Sequence, residues 1–163
     1  MDQPEHEKQI TKPSAKRRRM PETSPERSWV MSRVGHKDTK PEMIVRRLVH
    51  GMGYRYRLHR KNLPGSPDLV FPSRKKVVFV HGCFWHAHAD QHCKLSRPPK
   101  TRLDYWEPKL ARNKERDSAT EQKLKLEGWG VLVVWECQLR DRDALESRLR
   151  EFLDHCPQES EFV

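Results

Sequence analysis

Apolar residues in this chain follow two patterns, short β-branched runs and longer stretches at helical spacing. Val77-Val78-Phe79-Val80 and Val131-Leu132-Val133-Val134-Trp135 are continuous runs, which predict short strands buried on both faces. Asn62-Leu63-Pro64-Gly65-Ser66-Pro67 turns the chain, and Asp68-Leu69-Val70-Phe71 resumes extended structure before Pro72. The strand over 76–81 is expected to pair with it through a short turn. Tyr54, Tyr56 and Leu58 alternate with Arg55, Arg57 and His59, the pattern of a half-exposed strand with a basic outer face. Thr39-Lys40-Pro41-Glu42 has the form of a capping box with an early proline, and Met43, Ile44, Leu48, Val49 and Met52 follow at helical spacing until Gly51 and Gly53 stop the helix. Thr101 is expected to cap a further helical stretch containing Tyr105 and Trp106, which Pro108 should break or restart, and a charged helix should run on to Glu127 and end at Gly128. Leu145, Leu149, Phe152 and Leu153 mark a last amphipathic helix. The order αβββαβα predicts an α/β fold, one sheet with helices on both faces.

At 163 residues and 34% hydrophobic content, the chain supports one domain with a modest core. Residues 1–27 carry Pro4, Pro13, Pro21, Pro25 and charges of both signs with few apolar side chains, so they read as a disordered basic tail. The folded domain is placed at 28–155 and a flexible C-terminus at 156–163. Lys16-Arg17-Arg18-Arg19 in the tail is open to three readings: a phosphate-binding arm, a nuclear address, or a solvated charge run. The net charge of +10 calls for an anionic partner. No apolar run approaches the roughly 20 residues of a membrane span, so nucleic acid is favoured over lipid. The polar start of the chain has no secretory pattern, which places the protein in the cytoplasm, and its four cysteines are then expected to be reduced, as metal ligands or buried thiols.

The densest chemistry lies in Val80-His81-Gly82-Cys83-Phe84-Trp85-His86-Ala87-His88 and the following His92-Cys93, at the C-terminal edge of a predicted buried strand. Cys83, His88 and Cys93, with the distant Cys137, make a closed tetrahedral zinc set, and His92 is an alternative to Cys93. Compact domains rarely tolerate a loop of this length without a staple, which favours a metal over the plainer reading of Cys83 and Cys137 as small or buried residues. Cys156 stands apart from the cluster. Asp68 arrives at the start of a strand adjacent to the one ending at His81, where a carboxylate either holds a hard divalent cation or simply caps the turn. His86 has the chemistry for proton transfer near neutral pH, and His81 is placed to contact phosphate. Glu42 is explained by the capping box alone unless the fold brings it to His86. Phe84, Trp85 and Trp106 are large rings in a basic protein, suited either to wedge between base pairs or to close over a small apolar cluster.

The blocks Lys37-Asp38-Thr39-Lys40-Pro41-Glu42, Leu63-Pro64-Gly65-Ser66-Pro67-Asp68, Phe79-Val80-His81-Gly82-Cys83-Phe84-Trp85-His86, Pro99-Lys100-Thr101-Arg102, Trp106-Glu107-Pro108-Lys109 and Gly128-Trp129-Gly130-Val131-Leu132-Val133-Val134-Trp135-Glu136-Cys137 together resemble the very short patch repair DNA mismatch endonucleases of bacteria. The resemblance implies a restriction-endonuclease-like core, a mixed sheet flanked by helices with a structural zinc site. It implies a Mg2+-dependent nick on the 5′ side of the thymine in a T:G mismatch, the lesion left when 5-methylcytosine deaminates, and a functional link to a cytosine-5 DNA methyltransferase. By the same resemblance Asp68 and the Val80 backbone carbonyl hold Mg2+, His86 is the general base, Glu42 its acidic helper and His81 an auxiliary active-site histidine. Cys83, His88, Cys93 and Cys137 are the Zn2+ ligands, and Phe84, Trp85 and Trp106 intercalate. A monomer acting on double-stranded DNA, associated with the nucleoid, is expected.

Three features depart from the broader pattern. The acid-x-Lys triplet usual for such nucleases is replaced by Phe79-Val80-His81, a loss shared by the repair family. Val80 stands where that family often has threonine, which matters little if only the carbonyl binds metal. Ala89-Asp90-Gln91-His92 lengthens the metal loop and keeps the choice between His92 and Cys93 open. Two competing readings are a site-specific restriction endonuclease on the same fold and a zinc-stabilised DNA-binding module without catalysis.

Overall fold

The structure, a computed structural model, describes residues 37–58, 60–97 and 101–155. The expected basic tail (1–27), the domain start at 28, Cys156 and the C-terminal segment (156–163) lie outside the described residues.

The elements are α1 (Lys40–Gly51), β1 (Leu69–Phe71), β2 (Lys76–His81), α2 (Leu103–Leu126), β3 (Gly130–Trp135) and α3 (Arg142–Asp154). β1 and β2 form an antiparallel hairpin with Leu69 opposite Val78. Lys75 adopts the left-handed conformation (φ 49°) that closes its turn. β2 and β3 run parallel, from Lys76 opposite Gly130 to His81 opposite Trp135, so the sheet is mixed with order β1-β2-β3. Parallel neighbours require a crossover, and α2 supplies it.

Alternation along the strands sorts their side chains onto two apolar faces. Leu69, Phe71, Val78, Leu132 and Val134 meet Val45 and Val49 of α1 and Leu145, Leu149 and Leu153 of α3 on one face. Val70, Val77 and Phe79 meet Leu63 and Leu124 of α2 on the other. The predicted sheet with helices on both faces is therefore observed. Each fully buried leucine contributes roughly 1.5–3 kcal/mol relative to exposure.

α1 begins as the sequence suggests, with Thr39 extended and its Oγ1 accepting from the Glu42 amide at 3.4 Å. α3 is capped by Asp141, whose Oδ1 accepts from the Ala144 amide at 3.0 Å. At the far end of α3, buried Lys76 donates from Nζ to the carbonyls of Phe152, Leu153 and His155, placing a cation on the negative end of the helix dipole.

Three expectations are corrected. The strand predicted over 54–58 reduces to one antiparallel bridge, Arg57 opposite Val70. Its partner β1 is three residues long and lies between Pro67 and Pro72, too short to extend a ladder. Pro108 does not break the helix: it occupies the second turn of α2, where only the bond to the Asp104 carbonyl is forfeited, and the helix continues to Leu126. Thr101 does not cap α2. The cap position is Arg102, left-handed at φ 56°, without a capping side chain.

Candidate active site and metal centre

The C-terminal end of β2 carries the site. Asp68 lies just before β1, and its Oδ2 accepts the Val80 N–H at 2.7 Å, tying the carboxylate to the penultimate residue of β2. The turn that delivers it depends on Gly65, whose φ of 70° and close approach to α2 exclude a side chain, since a Cβ there would collide with the Thr120 methyl. Burial pushes the Asp68 carboxyl up to about 6; the Glu42 carboxylate adds to the rise, while the Val80 amide and the Arg46 guanidinium oppose it.

Glu42 is buried, with Oε2 accepting from Arg46 Nη2 at 3.0 Å and from the Asp38 amide at 2.8 Å. It was expected to assist His86. Its bonds instead join the first turn of α1 to Arg46, and its charge is felt at Asp68. The acid beside His86 is Asp117 of α2, with Nδ1 and Oδ2 2.5 Å apart. A carboxylate only accepts, so the proton sits on Nδ1 and Nε2 presents a lone pair.

His81 stacks on His86 with ring centroids 3.8 Å apart and planes 8° from parallel. Burial and the neighbouring His86 push His81 down to about 4, so it is neutral at neutral pH. Ligand atoms of His81, His86 and Asp117 lie within 4.8 Å of one another. Imidazole lone pairs lie in the ring plane, however, so two parallel stacked rings cannot converge on one ion without turning.

The loop after His81 alternates its side chains between tasks. His86 N–H donates to the Gly82 carbonyl at 3.2 Å and His88 N–H to the Cys83 carbonyl at 3.0 Å, and Ala87 between them is left-handed at φ 47°. This turn separates His86 from His88. Cys83, His88, Cys93 and Cys137 bring one ligand atom each within 4.8 Å of the others. Thiolates at about 2.3 Å from a tetrahedral ion sit about 3.8 Å apart, so this donor set fits zinc. His92 is exposed and outside the group, whereas Cys93 is buried within it. The Cys137 amide donates to Cys83 Sγ at 3.4 Å, and Ser96 Oγ donates to the His88 carbonyl at 2.7 Å, supporting two ligands from behind. Burial pushes the Cys83 thiol up to about 12 and raises Cys137 as well. For Cys93 desolvation is outweighed by hydrogen bonds from the Leu95 and Ser96 amides and the two other thiols, which pull it below its ordinary value. A bound cation would supply the positive counter-charge that buried thiolates need.

Phe84, Trp85 and Trp106 form one half-buried cluster: Phe84 meets Trp85 at 5.1 Å and Trp106 at 5.2 Å, both near perpendicular. Tyr105 joins at 5.1 Å from Trp106. Lys109 Nζ lies 5.4–5.6 Å from the rings of Tyr105, Trp106 and Trp85, close enough for cation–π attraction. Asn113 Nδ2 donates to the Trp85 carbonyl at 2.9 Å. Asp117, Tyr105 and Asn113 also reach the site from α2, whose uniformly charged pattern conceals which positions face the loop, and Trp135 reaches it from the end of β3.

The mixed sheet thus gathers a buried carboxylate, two stacked histidines and an acid at the C-terminal end of one strand. A family model described as DNA mismatch endonuclease Vsr matches residues 22–94. The type II nicking enzyme V.XorIIP of Xanthomonas oryzae pv. oryzae is 57% identical over 132 residues, 80% of this chain and 95% of that one. The type II nicking enzyme V.NmeAIP of Neisseria meningitidis is 40% identical, covering 80% and 91%. The DNA mismatch endonuclease Vsr of Escherichia coli is 41% identical over 132 residues, 78% of this chain and 83% of that one. The chain belongs to the Vsr DNA mismatch endonuclease family.

Proposed function

We propose that this endonuclease nicks DNA on the 5′ side of the thymine in T:G mismatches, with Mg2+ for chemistry and Zn2+ for structure. One observation carries the reading: His86 bonded to Asp117, the buried Asp68 carboxylate bonded to Val80, and the rings of Phe84, Trp85 and Trp106 all gather at the end of β2 and the loop that follows it. The name of the Escherichia coli relative supports mismatch specificity, and the nicking enzymes among the relatives support cutting of one strand.

Phe84, Trp85 and Trp106 enter the stack at the mismatch, where a wobble pair resists unstacking less than a paired step. His86, its Nδ1–H held by Asp117, takes a proton from the attacking water at Nε2, and neutral His81 supports its ring and contacts phosphate. Asp68, with the Val80 carbonyl, would hold Mg2+, and the ion would supply positive charge for the scissile phosphate and leaving oxygen. Glu42 and Arg46 set the charge around Asp68. Cys83, His88, Cys93 and Cys137 hold Zn2+ and fasten the loop to the end of β3. The chain acts as a monomer on double-stranded DNA in the cytoplasm, in genomes that carry a cytosine-5 methyltransferase.

The experiment uses labelled duplexes, paired or T:G mismatched, incubated with Mg2+ or EDTA. Nicking of the thymine strand alone, and only with Mg2+, is expected. Double-strand cuts in paired DNA would move the reading to restriction, and binding without cleavage would move it to a DNA-binding module.

A further inference from the structure

One side chain stands between the Cys/His cluster and the histidine dyad. Trp135, the last residue of β3, stacks on His88 with centroids 4.2 Å apart and planes at 19°. It also meets His81 edge-on, at 5.4 Å and 75°. His81 stacks in turn on His86. Rings thus run without a gap from a metal-ligating histidine to the base. Strand alternation explains why they meet: His81 follows Val77 and Phe79, and Trp135 follows Val131 and Val133, all on the face packed against α2, which carries Asp117.

The backbone fixes the indole from both sides. Trp135 pairs with His81 in the parallel ladder, and its N–H donates to Gln138 Oε1 at 3.0 Å. Two residues on, the Cys137 amide is bonded to Cys83 Sγ. His86 lies on the loop that carries Cys83 and His88, whereas His81 ends β2, and the indole touches both His81 and His88, joining the strand end to the loop.

We propose that Trp135 is a positioning residue for the His81–His86 pair, holding it in register with the metal-binding loop. This rests on the reading of His86 as the base. A plain alternative is that Trp135 only covers the Cys/His cluster, in which case replacing it costs metal and leaves the dyad undisturbed.

The test compares Trp135→Met, which keeps an apolar side chain without a ring, with Trp135→Phe, which keeps a smaller ring. Metal content, affinity for a T:G duplex in EDTA, the single-turnover nicking rate, and the imidazole proton–carbon spectra of the full chain are measured. Misplacing a catalytic group by a fraction of an ångström predicts a rate loss of about 10- to 100-fold for Trp135→Met and about 2- to 5-fold for Trp135→Phe. Metal content and affinity should stay at the parent's values, and the His81 and His86 signals should broaden or move in Trp135→Met. A Trp135→Met rate within twofold of the parent overturns the proposal, as does loss of metal together with loss of rate. If Trp135→Met does not fold, Trp135→Phe decides, and a rate equal to the parent's overturns it. If the parent chain nicks no mismatch, the proposed function fails, while unchanged histidine spectra in the variant would separately overturn the role of Trp135.

Discussion

His81 and His86 lie ring on ring, 3.8 Å between centroids and 8° from parallel. Two imidazolium charges at that separation would repel, and burial together with His86 already pushes His81 down to about 4. The acid in contact with the dyad, Asp117, is bonded to His86, so His86 is the proposed base. His86→Ala is expected to lower the single-turnover nicking rate by about 10²- to 10⁴-fold, the usual worth of a general base. Asp117→Asn should lower it less, by about 10- to 100-fold, because the imidazole remains but its tautomer is no longer fixed. DNA affinity measured in EDTA should change in neither.

Asp68 makes the protein's behaviour depend on pH in a definite direction. Its carboxyl is pushed up to about 6 from 3.8, so between those two pH values it is largely neutral in the folded metal-free protein and charged in the unfolded chain, and above about 6 it is a charge held at a cost in the fold. Its contribution to stability is thus fully present below about 3.8 and lost as pH rises through about 6. At neutral pH Asp68→Asn should stabilise the metal-free protein by up to roughly 3 kcal/mol, and below pH about 4 the gain should vanish. Denaturant unfolding at the two pH values measures this. Because a protonated carboxyl does not hold a cation, the Mg2+ concentration for half-maximal nicking should rise as pH falls below about 6.

The Cys/His cluster predicts a protein that depends on its metal for stability. Cys83 is buried and its thiol is pushed up to about 12, so ionisation needs a bound cation. Chelation should lower the melting temperature and release the loop. Cys83→Ser should abolish stoichiometric zinc, while His92→Ala, outside the group, should retain it. Elemental analysis of the two variants reads this directly.

The aromatic cluster predicts discrimination more than bulk affinity. Trp85→Ala should weaken binding to a T:G duplex by about 1–3 kcal/mol, the worth of one stacked base, and leave binding to paired DNA near its parent value. Equal losses on both duplexes would mean that the ring packs the loop instead of entering the DNA.

Local pattern was enough for α1, the β1–β2 hairpin, β3 and α3, because caps, turns and apolar runs are written in adjacent residues. Cys83, His88 and Cys93 were legible for the same reason, and Cys137 by its place at the end of an apolar run. Asp117 was not, because it sits 31 residues from His86 on a helix whose charged positions look alike. The partners of Glu42 were legible only in part, because its amide serves the capping turn while its carboxylate enters a buried ion pair with Arg46. The strand expected over 54–58 failed for want of a long partner, which only the fold reveals.

The central claim is that this site cuts at a T:G mismatch. Single-turnover nicking rates on two duplexes of the same flanking sequence, one T:G and one T:A, test it most directly. The account predicts a rate at least about 100-fold faster on T:G, with the break 5′ of the thymine, since discrimination of about 3 kcal/mol is within reach of a wedge that enters only a weakened stack. Equal rates on the two duplexes, or a break elsewhere, would contradict it.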